Sequence, residues 1–169
     1  IGASGIRDWD YEELKRLSSL VESRGKLFAL HASEAERDDI GRVLDLNPRF
    51  LVHMTNATDE DLQLCAEKRV PIVVCPRSNA YFGALTNMRR MLDKGALLML
   101  GTDNIMLNSP SMLREMEFAY RLSKSHGGLS CMEIFKIGMS ARTFFQAEER
   151  FEVGGKADFM VLDSLGSLD

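Results

Sequence analysis

KLFALHASE, Lys26 to Glu34, reads as a buried strand, Leu27 to Leu30, that stops at His31 and sets Glu34 on the first turn of the loop beyond it. The same pattern returns three times: RFLVHM ends in His53, PIVVCPRSN ends in Asn79, and ALLMLGTDN ends in Asp103. Each apolar run thus delivers a polar group at its carboxyl end. In α/β folds the loops that follow the strands open at that edge, so reactive side chains collect there while the opposite edge serves packing.

The segments between these strands carry helical spacing. Tyr11 to Ser23 places Leu14, Leu17, Leu20 and Val21 on a helix that Gly25 ends, and Ala35 to Leu46 places Ile40, Val43 and Leu44 on another, closed by Asn47 and Pro48. Thr58 opens a helix to about Lys68, with Asp59, Glu60 and Asp61 in the first turn where the helix dipole favours negative charge. Val70 to Cys75 is a strand halted by Pro76, residues 77–83 a loop, and Ala84 to Lys94 a helix leading into the strand Leu97 to Leu100. Helices from Ser111 to Ser123 and from Ser130 to about Phe145 follow, and Phe151 to Asp163 returns to strand character around Gly154 and Gly155. IGASGIRDWD, at the start, reads as the loop after a strand outside the chain, and a first residue of Ile suggests a piece of a longer or processed product.

Strands alternating with helices imply right-handed βαβ units and a parallel sheet covered on both faces. Half of a (β/α)8 barrel and a small doubly wound sheet both fit that pattern. No GxGxxG or GxxxxGK[ST] follows any strand, which removes the usual signatures of a nucleotide-binding sheet.

Composition narrows the function. The 169 residues, 45% hydrophobic and 27% charged, suffice for a buried core. A net charge of -4, from 25 acidic and 21 basic residues, offers no basic field for nucleic acid. No apolar run approaches the roughly 20 residues of a membrane span, so a cytoplasmic protein is expected. Cys65, Cys75 and Cys131 are too widely spaced for a CxxC metal pair and odd in number for a disulfide framework.

Of the three histidines, His31 and His53 end strands, while His126 sits beside Gly127 and Gly128 and reads as a loop residue. One strand-end histidine is commonly a partly buried side chain and no more. Two of them, with an acid three positions after the first and a strand-end Asp103, suit a divalent metal, which accepts imidazole and carboxylate alike. Glu34 alone reads as an acid near a helix start, Asp103 as a turn residue in GTDN, and Arg77, Ser78 and Asn79 as a rigid loop after Pro76. The methionine-rich segments read as core filler.

Taken in series, LHASE at 30–34, LVHMTNATDEDL at 51–62, CPRSN at 75–79, LGTDN at 100–104, GMSAR at 138–142 and GKADFMVLD at 155–163 resemble the metal-dependent amidohydrolase superfamily, in its cytosine deaminase and chlorohydrolase-like branch. The resemblance implies an α/β fold, the C-terminal half of a distorted (β/α)8 barrel. Residues 1–150 would supply strands five to eight, and 151–169 would enter a small flanking β domain. It makes His31 the metal ligand from strand five and Asp103 the one from strand eight, with Asp103 also taking a proton from the attacking water. Glu34 becomes the acid/base toward a substrate ring nitrogen, His53 the residue that polarises hydroxide or the tetrahedral intermediate, and Arg77, Ser78 and Asn79 the lining of the substrate pocket. It implies one divalent metal ion, zinc ahead of iron. The expected reaction is deamination of a nucleobase-like or triazine-like ring. Hydrolysis of a cyclic amide or a chlorinated ring is the alternative, as is a non-catalytic half-barrel, since the family's strand-one HxH ligands are absent from the chain. The expected partners are a small heterocyclic substrate and either a second copy or the N-terminal half of the barrel, because the edges of a half-barrel are open.

Overall fold

Each strand of the sheet runs parallel to its neighbour, and the order across the sheet is the order in the chain: β1 (Gly2–Ala3), β2 (Ala29–Ala32), β3 (Phe50–His53), β4 (Ile72–Val74) and β5 (Leu98–Leu100). The computed structural model describes residues 1–145 and 153–154. A doubly wound sheet reverses its stepping direction at a switch point, whereas a barrel wall steps one way throughout. The described strands step one way, which resolves the ambiguity left by the sequence in favour of an arc of barrel wall.

Leu30, Leu51, Ile72 and Val74 are fully buried, as are Leu14 and Leu62 on the helices that cover the sheet. Those two lie on α1 (Tyr11–Ser23) and α3 (Asp59–Glu67). At the start of α1 the Asp10 side chain accepts from the backbone of Glu13, and α3 opens with a reciprocal pair between Thr58 and Asp61 that satisfies two helix-start amides. The helix expected from Ser111 forms, with the Ser111 side chain accepting from the Arg114 amide as its cap.

The elements depart from expectation where side chains compete with the backbone. Residues 35–46 form only a short α2 (Ile40–Leu44). Asp38 explains why: its Oδ2 accepts from the Ser33 amide at 2.6 Å, and its own amide donates to Ser33 Oγ at 3.0 Å. That exchange holds the loop in a closed turn and moves the helix start to Asp39, whose carboxylate accepts from Arg42. The loop expected at 77–83 instead opens with α4 (Pro76–Tyr81), since proline at a first helical position forfeits no hydrogen bond. The next helix, α5 (Met88–Asp93), starts later than expected, at its Asn87 cap. The opening segment contains β1, paired with Ala29 and Leu30, where a loop was expected. The final helices are α6 (Met112–Ser123) and α7 (Cys131–Phe145). The strand expected over 151–163 lies outside the described residues, apart from positions 153 and 154.

Gly101, just after β5, allows a close approach: a Cβ there would lie 2.7 Å from Val73 Cγ1. Among the described residues no helix is long and apolar enough to cross a membrane. Burial pushes the Cys65 thiol up to about 12 and raises that of Cys75 as well, whereas Cys131 is exposed. A brief native alkylation at mildly alkaline pH should therefore modify Cys131 and spare Cys65 and Cys75, with all three reacting in denaturant. Peptide mass mapping checks this, and rapid native labelling of Cys65 would contradict the packing described.

Candidate active site

His31 lies on β2 between Leu30 and Ala32, both buried in the core, so the pleat turns its ring to the opposite face of the sheet. His53 is the register partner of Ala32, and simple alternation would send it to the wrong side. The backbone departs from alternation there: φ is +74° at His53 and +55° at Met54. The ring centres of His31 and His53 approach to 4.8 Å, edge to face. Ser33 and Asp103 also have positive φ, so four of the six non-glycine residues recorded in that region stand at carboxyl ends of strands. Backbone strain of this kind collects where function requires a fixed geometry.

Glu34 spans the two imidazoles. Its Oε2 is 3.5 Å from His31 Nδ1, and its Oε1 is 3.3 Å from His53 Nε2. The loop after β3 holds Glu34 by its backbone: Thr55 Oγ1 donates to the carbonyls of Ser33 and Glu34, the Asn56 amide donates to Ser33, and Asn56 Nδ2 donates to the Glu34 carbonyl. Glu34 borders two cavities. One, of about 250 Å³, is lined also by His31, Arg7 and Asp38. The other, of about 580 Å³, is lined by Asn56, Asn79, Phe82 and Gly83.

His53 is fully buried. Burial holds its pKa below the ordinary imidazole value; the Glu34 and Asp103 carboxylates oppose the shift, and His31 adds to it. Its Nδ1 lies 3.1 Å from Asn79 Nδ2, and Thr86 Oγ1 donates to Asn79 Oδ1 at 3.4 Å. Its Nε2 is buried and completes no hydrogen bond, the Glu34 contact included.

The other expected site residues are placed as follows. Ser78 Oγ donates to Asp103 Oδ2, so those two are neighbours, and Asp103 lies outside the tight His31, Glu34 and His53 group. Arg77 turns to α6: its amide and Nε donate to the two oxygens of the fully buried Glu115 at 2.9 and 2.6 Å, and its Nη2 to the Ser109 carbonyl at 2.9 Å. Asn79 borders the larger cavity, with its amide engaged by His53 and Thr86. Thr55, Asn56, Thr86 and Glu115 were not anticipated from the sequence. Thr55 and Asn56 could have been found as the polar pair that follows His53 and Met54; Glu115 reads locally as a solvated helix charge, and nothing local marks Thr86.

Among the described residues, ligating atoms of His31, Glu34 and His53 all lie within 4.8 Å of one another. Two imidazoles and a carboxylate at an open strand edge form a donor set that suits zinc or iron, and the Asp103 carboxylate acts electrostatically on the same histidine. The imidazoles and carboxylates gathered at this edge therefore fit a divalent ion, with more donors present than the two or three that need ligate it.

A family model described as "Amidohydrolase family" matches residues 7–168. A Methanothermobacter thermautotrophicus protein named "Putative aminohydrolase" is 33% identical over 96% of this chain and 46% of its own length. A Caldanaerobacter subterraneus 5-methylthioadenosine/S-adenosylhomocysteine deaminase is 27% identical over 89% of this chain and 40% of its length. The chain thus spans less than half the length of these relatives. In fold it is similar to an adenosine deaminase from Xanthomonas campestris with bound zinc, with a TM-score of 0.71 at 21% identity over 81% of this chain and 36% of that one. It is also similar to a guanine deaminase from C. acetobutylicum with bound guanine, with a TM-score of 0.69 at 23% identity over 81% and 39% of the two chains.

The Arg77 and Glu115 pair makes a sharp prediction. Truncating Glu115 strands a guanidinium that is 12% exposed, so Glu115→Ala should destabilise the protein by about 3–5 kcal/mol in urea unfolding. A loss under about 1 kcal/mol would place the pair with surface ion pairs instead.

Proposed function

The chain belongs to the amidohydrolase family, and on that premise we propose that the protein containing it is a metal-dependent aminohydrolase that releases ammonia from a nucleobase-like or other heterocyclic ring. The observation that carries this reading is the Glu34 carboxylate held between two imidazoles, one of them buried, beside a cleft with Phe82 in its wall. Residues 1–150 then act as strands five to eight of the barrel, with β1 the end of the strand before them, and 151–169 begin the flanking β domain. Among the described residues β1 and β5 each pair on one side only, and those edges are where the remaining strands, or a second copy, would pair.

His31 and Asp103 would hold one divalent ion, zinc ahead of iron, together with ligands from outside this chain. Such an ion supplies Lewis acidity and lowers the pKa of water toward neutrality. The chain's own residues handle the substrate and its protons. Glu34, partly exposed to the cleft, carries a proton to a ring nitrogen, which draws electron density from the adjacent carbon. The oxygen of water adds to that carbon, the exocyclic C–N bond breaks, and the amino group leaves as ammonia with the transferred protons. His53 stabilises the charge that develops on oxygen. Ser78, through its hydrogen bond, fixes the Asp103 carboxylate.

The full-length protein should release ammonia from at least one member of a panel of aminopurines, aminopyrimidines and aminotriazines. Hydrolysis of cyclic amides with no ammonia from any aminated ring would replace the deaminase reading with an amidase. Glu34→Gln should lower kcat by about 10²–10⁴-fold with metal content unchanged by elemental analysis, and retained turnover would remove Glu34 from the proton path.

A further inference from the structure

Asn79 borders the larger cavity, and its side-chain amide is engaged by His53 and Thr86. Asn79 is 2% exposed and Thr86 1%, and the two connect in series to His53: Thr86 Oγ1 donates to Asn79 Oδ1, and Asn79 Nδ2 faces His53 Nδ1 at 3.1 Å. We propose that Asn79, oriented by Thr86, is a positioning residue that fixes His53 as the neutral tautomer with its proton on Nε2, the nitrogen on the Glu34 side of the ring.

Two independent features support it. The first is the direction of the donors. With the Thr86 hydroxyl donating to the amide oxygen, the amide nitrogen is the atom turned to His53, and an amide nitrogen can only donate. Nδ1 must then accept, so a neutral ring carries its hydrogen at Nε2. The second is on the far side of the ring, where Nε2 stands 3.3 Å from Glu34 Oε1. The contact completes no hydrogen bond, but a carboxylate oxygen that near repels a bare nitrogen lone pair and attracts an N–H. Both neighbours select the same tautomer.

The choice bears on function in two ways. An Nε2–H is a donor, so His53 is poised to hydrogen-bond a developing oxyanion rather than to give its lone pair to a metal, although its ring lies within ligating distance of His31 and Glu34. A histidine held in the wrong tautomer cannot perform the same proton chemistry, as other enzymes that orient a histidine through its second nitrogen illustrate. The effect on turnover rests on the deaminase reading; the tautomer does not.

The test is nitrogen NMR on the zinc-loaded, full-length protein labelled with [15N]histidine, assigned with a His53→Gln variant. Wild type should show His53 with a protonated Nε2 and an accepting Nδ1. Asn79→Asp, whose carboxylate only accepts, should place a proton on Nδ1 and lower kcat by about 10²–10⁴-fold with little change in KM. Thr86→Val frees the amide to turn over and should give a mixture of His53 forms. A wild-type His53 protonated at Nδ1, or ligated to zinc through Nε2, overturns the proposal. So does an Asn79→Asp spectrum that keeps a bare Nδ1. Should Asn79→Asp fail to fold by thermal melting, the wild-type spectrum and Thr86→Val decide. Absence of ammonia release with the expected wild-type tautomer would count against the deaminase reading alone.

Discussion

Complete burial of the His53 imidazole is the constraint around which the carboxyl edge of the sheet is built. Removed from water, the ring has one nitrogen hydrogen-bonded and the other beside a carboxylate without completing a bond, and each neighbour comes from a different element. β4 leads into α4, which brings Asn79 to one nitrogen; the loop after β2 brings Glu34 to the other; β2 itself sets His31 edge-on against the ring. None of these contacts is local in sequence to His53. Their convergence depends on parallel strands in unbroken order, which places consecutive carboxyl ends side by side.

The three residues after Pro76 divide the labour. Arg77 anchors α4 to α6 through Glu115, both by its backbone amide and by its guanidinium. With the helix start fixed in this way, Ser78 reaches Asp103 and Asn79 reaches His53. A buried ion pair contributes little net stability against an apolar replacement, but it specifies a position, and here that position is shared by the two residues that follow it. The loop after β3 works similarly on the other side: Thr55 and Asn56 take hold of backbone carbonyls at Ser33 and Glu34, and so orient an acid whose own side chain remains partly open to the cleft.

Much of this was legible from residue pattern. The alternation of strand and helix, the parallel sheet, and the gathering of His31, Glu34, His53 and Asp103 at one edge all follow from apolar runs that end in polar groups. What was not legible has a common cause. Helix boundaries at Ala35 and Ala84 read as periodic because the apolar spacing continues there, but periodicity does not register a side chain that captures its neighbour's amide, as Asp38 does at Ser33. The ion pair of Arg77 was not legible because its partner, Glu115, lies 38 positions away in a helix of unremarkable charge. The pairing of His53 with His31 required a left-handed backbone residue, which no hydrophobic pattern announces. The choice between barrel wall and doubly wound sheet likewise needed strand order, a property of the crossovers and not of the strands.

The backbone at position 53 also sets two demands against each other. A φ of +74° is one that glycine adopts with less strain than any residue bearing a side chain. Exchanging His53 for glycine would relax that backbone but would empty a fully buried site and leave the Asn79 amide facing a void. The left-handed conformation is therefore held in place by the packing around the ring. Loosening that shell, rather than removing the ring, is the change that would let the chain there relax.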